Sequence, residues 1–189
     1  ASFYASQGQL LPPYDSRETL ERLALAVRET GARRVFCLGD NFHDGGGPAR
    51  LEPYAAGMLA ALTRALDWVW IAGNHDGDES QGLAELELAG LVLRHQALAG
   101  EQRPELSGHF HPRFAITHRQ RRIRRPCAVL SRDARGAGRL ILPAFGALTG
   151  GMDAGDPAIL AALQPAASVE ALLAAGGRLA RFALWRSGT

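Results

Sequence analysis

Apolar residues along this 189-residue chain repeat with two periods, one helical and one extended. After Asp15 they recur at Leu20, Leu23, Ala24 and Val27, the i, i+3, i+4, i+7 stripe of an amphipathic helix. Asp15 or Ser16 can cap it, Asp15 with Glu18 approximates a capping box, and Gly31 ends it. A second helix is expected from about Glu52 to Leu66, with Tyr54, Met58, Leu62 and Ala65 or Leu66 facing inward. Unbroken apolar runs at 34–38, 67–72 and 91–93 read as buried strands, and strand, helix and strand in alternation predict parallel pairing with helices outside. A short helical piece is expected at 83–89. From Gly108 the texture turns to β. Residues 113–118 and 126–130 are expected to pair across an arginine-rich stretch, and 140–142 forms a third strand. Short helices at 158–163 and 169–175 then lead into a last strand at 178–185. Together these elements predict an α/β fold of two sheets packed face to face with helices outside.

Composition narrows this to an ordinary globular chain, 47% hydrophobic and 21% charged. The length fits one domain over residues 1–189. No apolar run approaches the ~20 residues of a membrane helix, and no signal-peptide pattern is present. Cys37 and Cys127 have neither disulfide-framework nor metal-site spacing, and both sit in apolar runs. They read as buried thiols in a reducing, cytoplasmic setting. Net charge is only +2, yet all 21 basic residues are arginine and nine lie between Arg113 and Arg139, a local basic zone.

The polar residues that carry chemistry sit just after the strands. Gly73-Asn74-His75-Asp76 follows one apolar run, Gly39-Asp40-Asn41-Phe42-His43 another, and Gly108-His109-Phe110-His111-Pro112 comes later. Gly73-Asn74-His75-Asp76 alone is also a plausible tight turn; three glycine-led His/Asp clusters at strand ends point to a common ligand edge. Carboxylate, amide oxygen and imidazole donors at Asp40, Asn74, His95, His109 and His111 suit borderline divalent ions such as manganese, iron or zinc. His109 and His111, one residue apart, would point to the same side of an extended segment. His43 either has a direct functional role or is a polar loop residue or a hydrogen-bonding partner behind the ligands, His95 is either a ligand or the solvated end of a strand, and His118 reads as structural or surface. Trp68, Trp70 and Trp185 read as packing residues. Arg119, Arg121, Arg122, Arg124 and Arg125 form either a solvated hairpin face or a phosphate-backbone surface.

Gly-Asp-x-x-His, Gly-Asn-His-Asp and Gly-His-x-His, in this order, resemble the calcineurin-like metallophosphoesterase superfamily. Leu10-Leu11-Pro12-Pro13-Tyr14-Asp15, Arg125-Pro126-Cys127, and Leu142-Pro143-Ala144-Phe145-Gly146 through Thr149-Gly150-Gly151 are similar to the bacterial ligase-associated DNA-damage-response endonucleases and phosphoesterases. The resemblance covers nearly the whole chain and implies a four-layer α/β/β/α sandwich around two divalent ions, manganese first. Asp40 would bridge them, Asn74, His95 and His109 would complete one, and His111 would bind the other. His75 would protonate the leaving oxygen, with Asp76 holding its ring. The family pattern begins with an Asp-x-His pair on a first strand, and no such pair occurs here before Asp15. That strand is therefore expected to be missing, leaving one ion only Asp40 and His111 from the inferred set. The implied function is cleavage of DNA phosphodiesters in repair, with nucleic acid, and by extension a DNA ligase and a helicase, as partners and no membrane. Two alternatives stand beside it: hydrolysis of small nucleotide esters, and a non-catalytic nucleic-acid-binding role.

Overall fold

The computed structural model describes residues 15–42, 46–76, 82–147 and 149–188, with only the backbone at His118. It divides into two compact units, one formed by the chain up to Ala84 with residues 145–149, the other by residues 85–144 and 150–189.

In the first unit, helix α1 (Asp15–Thr30) carries Asp15 and Glu18 in its first turn, where acids suit the helix dipole, and Arg28 in its last. Arg17–Glu21 (2.8 Å) and Arg22–Glu18 (2.7 Å) pair one turn apart on its exposed side. Gly31, at φ +65°, ends it. Strand β1 (Arg34–Cys37) pairs in parallel with β2 (Asp67–Trp70), with Val35 opposite Trp68 and Cys37 opposite Trp70. Between them runs α2 (Pro53–Ala65), capped by Glu52, whose carboxylate accepts from the Tyr54 and Ala55 amides. Its buried contact is Ala55, fully enclosed, while Tyr54 is exposed rather than inward. The Tyr54 ring instead lies under the Arg17 guanidinium at 4.6 Å, and its hydroxyl donates to Glu21 Oε1 at 3.4 Å. The 145–147 segment is tied to α1 by Ala147 N donating to Thr19 Oγ1 (3.1 Å) and Arg22 to the Phe145 carbonyl (3.1 Å).

The second unit is built on a seven-stranded mixed sheet in the order β11-β10-β8-β9-β5-β4-β3. Its strands are β3 (Glu85–Leu88), β4 (Leu91–Arg94), β5 (Glu105–Ser107), β8 (Ala128–Arg132), β9 (Gly138–Ile141), β10 (Ser168–Ala175) and β11 (Arg178–Arg186). A separate hairpin pairs β6 (Arg113–His118) with β7 (Arg121–Pro126). Helix α3 (Pro157–Ala162) and the following Leu163 deliver Ile159, Ala162 and Leu163 to a core with Phe110, Cys127, Val129, Ile141, Val169, Ala171 and Leu173.

Three expectations are corrected here. Residues 83–89 contain strand β3, not a helix: Glu85-Leu86-Glu87-Leu88 alternates with period two, and Ala89 and Gly90, both at positive φ, make the two-residue turn that returns it antiparallel on β4. Residues 169–175 form β10, because Val169, Ala171 and Leu173 are buried on alternate positions between β8 and β11, which overrides alanine's helical preference. The partner of β6 is the arginine-rich stretch itself, turned at Arg119 and Gln120 (φ 48° and 62°), whereas 128–132 joins the large sheet as β8. No helix among the described residues is long and apolar enough to cross a membrane.

A charged cluster is buried in the second unit. Glu105 is wholly enclosed and meets Arg139 (Nη2–Oε1, 3.2 Å) and Arg94 (Nε–Oε2, 3.6 Å); Arg94 also pairs with Glu101 at 2.8 Å. Arg139 Nη2 further donates to the carbonyls of Leu98 (2.7 Å) and Ala162 (3.0 Å), satisfying the C-terminal end of α3.

Candidate functional site

In the first unit the tips of the two parallel strands are stapled together. Ile71 N donates to the Cys37 carbonyl (2.8 Å), and beyond it lie the loops carrying Asp40 and Asn74-His75-Asp76. Asp76 is the staple. Its Oδ1 accepts from the backbone amides of Asn41 (2.8 Å) and Phe42 (3.4 Å), and its Oδ2 from Gly73 N (2.8 Å) and Asn41 Nδ2 (3.1 Å). Its hydrogen bonds therefore run to the 41–42 loop and Gly73, and none runs to the His75 ring it was expected to hold. Asn41, which the sequence reading passed over, is the other half of this staple; its only signal was its place directly after Asp40.

Asp40 stands at φ 49°, and its Oδ1 accepts from the His75 backbone amide at 3.0 Å. Close approach explains the glycine at 73: a Cβ there would lie 2.1 Å from the Asp40 nitrogen and 2.4 Å from its Oδ1. Asn74 and His75 are exposed. His43 lies outside the described residues.

In the second unit β4 ends at His95, which is buried rather than solvated. His95 Nε2 and His109 Nδ1 are 3.1 Å apart, with the rings edge to face at 5.0 Å between centroids. That separation is a hydrogen-bond distance, and it is also what two nitrogens held about 2.1 Å from one ion would show. The backbone fixes the pair, since Gly108 N donates to the His95 carbonyl at 2.8 Å. His109 (φ 64°) and His111 (φ 46°) flank Phe110, whose ring packs into the core and against His109. Gly151 closes on this loop, where a Cβ would stand 2.4 Å from the His111 carbonyl and under 3 Å from the Arg113 side chain. Gly151 of the Thr149-Gly150-Gly151 signature thus has a packing reason, while Gly150 has open space around it.

Arg121, Arg122, Arg124 and Arg125 are exposed on β7, and Arg119 is exposed at its turn. No ion pair joins any of them to a carboxylate among the described residues. Burial pushes the Cys37 and Cys127 thiols up to about 11, away from reactivity.

A family model described as calcineurin-like phosphoesterase matches residues 13–165. A crystal structure of the Pseudomonas putida nuclease MPE is similar at 28% identity and a TM-score of 0.63, over 88% of this chain and 78% of that one. No curated protein matches the chain.

Proposed function

The chain belongs to the calcineurin-like phosphoesterase family and has its α/β sandwich fold, and from that premise we propose that it is a metal-dependent phosphodiesterase that cleaves nucleic acid, specifically DNA. The observation that carries the reading is the His95–His109 pair, two imidazole nitrogens 3.1 Å apart at the end of a buried strand. We propose Asp40 as the carboxylate that joins these two imidazoles, a donor set whose chemistry is that of a manganese, iron or zinc site. Asn74 and His111 are the further donors proposed, and manganese is the ion proposed. When bound, divalent ions acidify a water and offset phosphoryl charge. The rest falls to the chain. Asp76 and Gly73 hold Asp40 in place, Gly108 and Gly151 hold the histidine loop, and His75, exposed and anchored through its own amide, donates the proton that the departing alkoxide needs.

The nuclease relative supports a nucleic-acid phosphodiester as substrate, as does the arginine hairpin. A role in DNA repair beside a ligase and a helicase, in the cytoplasm, belongs to the same proposal and rests on the sequence motifs at 10–15, 125–127 and 142–151. Failure of a tagged full-length protein to co-purify a ligase from its own cells would count against that part.

The central test pairs manganese binding with hydrolysis of bis(p-nitrophenyl) phosphate and single-stranded DNA. D40N and H109A should lose the metal. H75A should keep it, yet cleave DNA about 10²–10⁴-fold more slowly. Unchanged metal retention in D40N and H109A would remove the site.

A further inference from the structure

The arginine hairpin is two-faced, and only one face suits a polynucleotide. From Leu106 to Arg132 the chain has no Asp or Glu and carries seven arginines. Register places Phe114 opposite Arg125 and Ile116 opposite Ile123, with Arg121 two residues along from Ile123; these positions share one side of the ribbon. That side is turned inward, because Phe114 stacks on Phe182 of β11 at 4.8 Å and Phe114 and Ile116 both pack on the core. The other side carries Arg113 with Pro126, Ala115 with Arg124, and Thr117 with Arg122. Here two small residues leave a low floor between guanidinium groups. Arg124 donates to the Gly151 carbonyl at 2.7 Å, and the Arg113 side chain lies against Gly151 too, at the same glycine that closes on His111.

We propose that the face bearing Arg113, Arg122 and Arg124 is the track on which the backbone phosphates of a single nucleic-acid strand lie as it runs to the His109–His111 loop. This deepens the phosphodiesterase reading and rests on it. Charge complementarity names the occupant: a ribbon whose own two strands carry no acid, with Asp153 bridged to the backbone of Arg113 at one end, presents planar forks, which bind phosphate oxygens bidentately and without regard to base. Arg113, absent from the arginine run noted in the sequence, joins the surface because the pleat puts it beside Arg124. Arg121 and Arg125 leave it for the same reason.

The test is binding of a fluorescent single-stranded 20-mer to the full chain without turnover, in EDTA, by anisotropy across a salt series. Each phosphate contact contributes about 0.7 to the slope of log K against log salt for a single strand. R122A/R124A should therefore lower the slope by about 1.4, and R122A alone, which breaks no bond to Gly151, by about 0.7. R121A/R125A removes the same charge and should lower it by less than half as much as R122A/R124A. Equal losses in the two double variants would overturn the track in favour of a diffuse basic surface, and no loss in R122A would overturn it outright. Hydrolysis of bis(p-nitrophenyl) phosphate by the manganese-loaded wild type reports on the phosphodiesterase reading separately, since that ester is too short to reach the track.

Discussion

Replacing Asp76 by asparagine separates two roles for this residue. The carboxylate accepts four hydrogen bonds, two at each oxygen, joining the loops after β1 and β2. Asparagine has the same shape but only one acceptor oxygen. Either orientation of its amide turns an NH2 toward two N–H donors, so two bonds are lost and donors face one another. A hydrogen bond to a charged group contributes about 1.5–3 kcal/mol, and one of each pair is longer than the other. The expected loss is therefore about 2–4 kcal/mol. For a chain of this size that lowers the midpoint by about 4–16 °C. Thermal unfolding followed by circular dichroism, with urea midpoints beside it, measures the shift. If Asp76 serves only to orient the His75 ring, D76N leaves the midpoint within about a degree and lowers turnover alone. That result would refute the staple.

The other predictions draw on separate parts of the molecule. Gly73→Ala drives a methyl into the Asp40 backbone, so it should cost about 1–3 kcal/mol and weaken manganese binding by calorimetry, whereas Gly57→Ala, with open space around it, should not affect the metal. Glu105→Ala strips two buried guanidinium groups of their shared partner and should destabilise by about 3–5 kcal/mol in urea, while E105Q, which keeps an acceptor, should cost less. Both thiols are raised from 9.0 to about 11 by burial, so the folded state holds protons that the unfolded state releases. Their contribution is present in full below pH 9 and is lost as the pH rises through 11; alkaline urea midpoints should fall more steeply in the wild type than in C37A/C127A.

Much of the first unit was legible because its signals were local. The 3.6-residue stripe before Gly31, the capping acids and the apolar runs ended by glycine each identify an element without reference to its neighbours. Tyr54 shows where that stops: its position on the helical stripe points inward, but the phenol finds the Arg17 face and the Glu21 carboxylate of the neighbouring helix. The second unit was harder because its strands depend on partners far away in sequence. The alanine-rich 169–175 segment is extended only because β8 and β11 lie on either side of it, and β5 is three residues long, too short to show a period. The arginine stretch hid as a strand because alternation there is between arginine and arginine.

The donors were legible by type and spacing, but the feature that sets them apart is conformational. Six described residues other than glycine have positive φ: Asp40, Ala89, His109, His111, Arg119 and Gln120. Ala89, Arg119 and Gln120 are turn residues of two-residue hairpins, where positive φ matches the twist of the flanking strands. The other three lie in no such turn, and each is a proposed metal donor. Left-handed backbone in a residue with a Cβ costs of order 1–3 kcal/mol and persists only where the surroundings over-determine it. Here the surroundings are the Asp76 staple and Gly73 about Asp40, and Phe110 and Gly151 about the two histidines. A polypeptide selected for stability alone would place glycine or asparagine at these three positions. Retaining a carboxylate and two imidazoles there has a physical reason if those side chains must leave the backbone in directions that an ordinary loop does not offer.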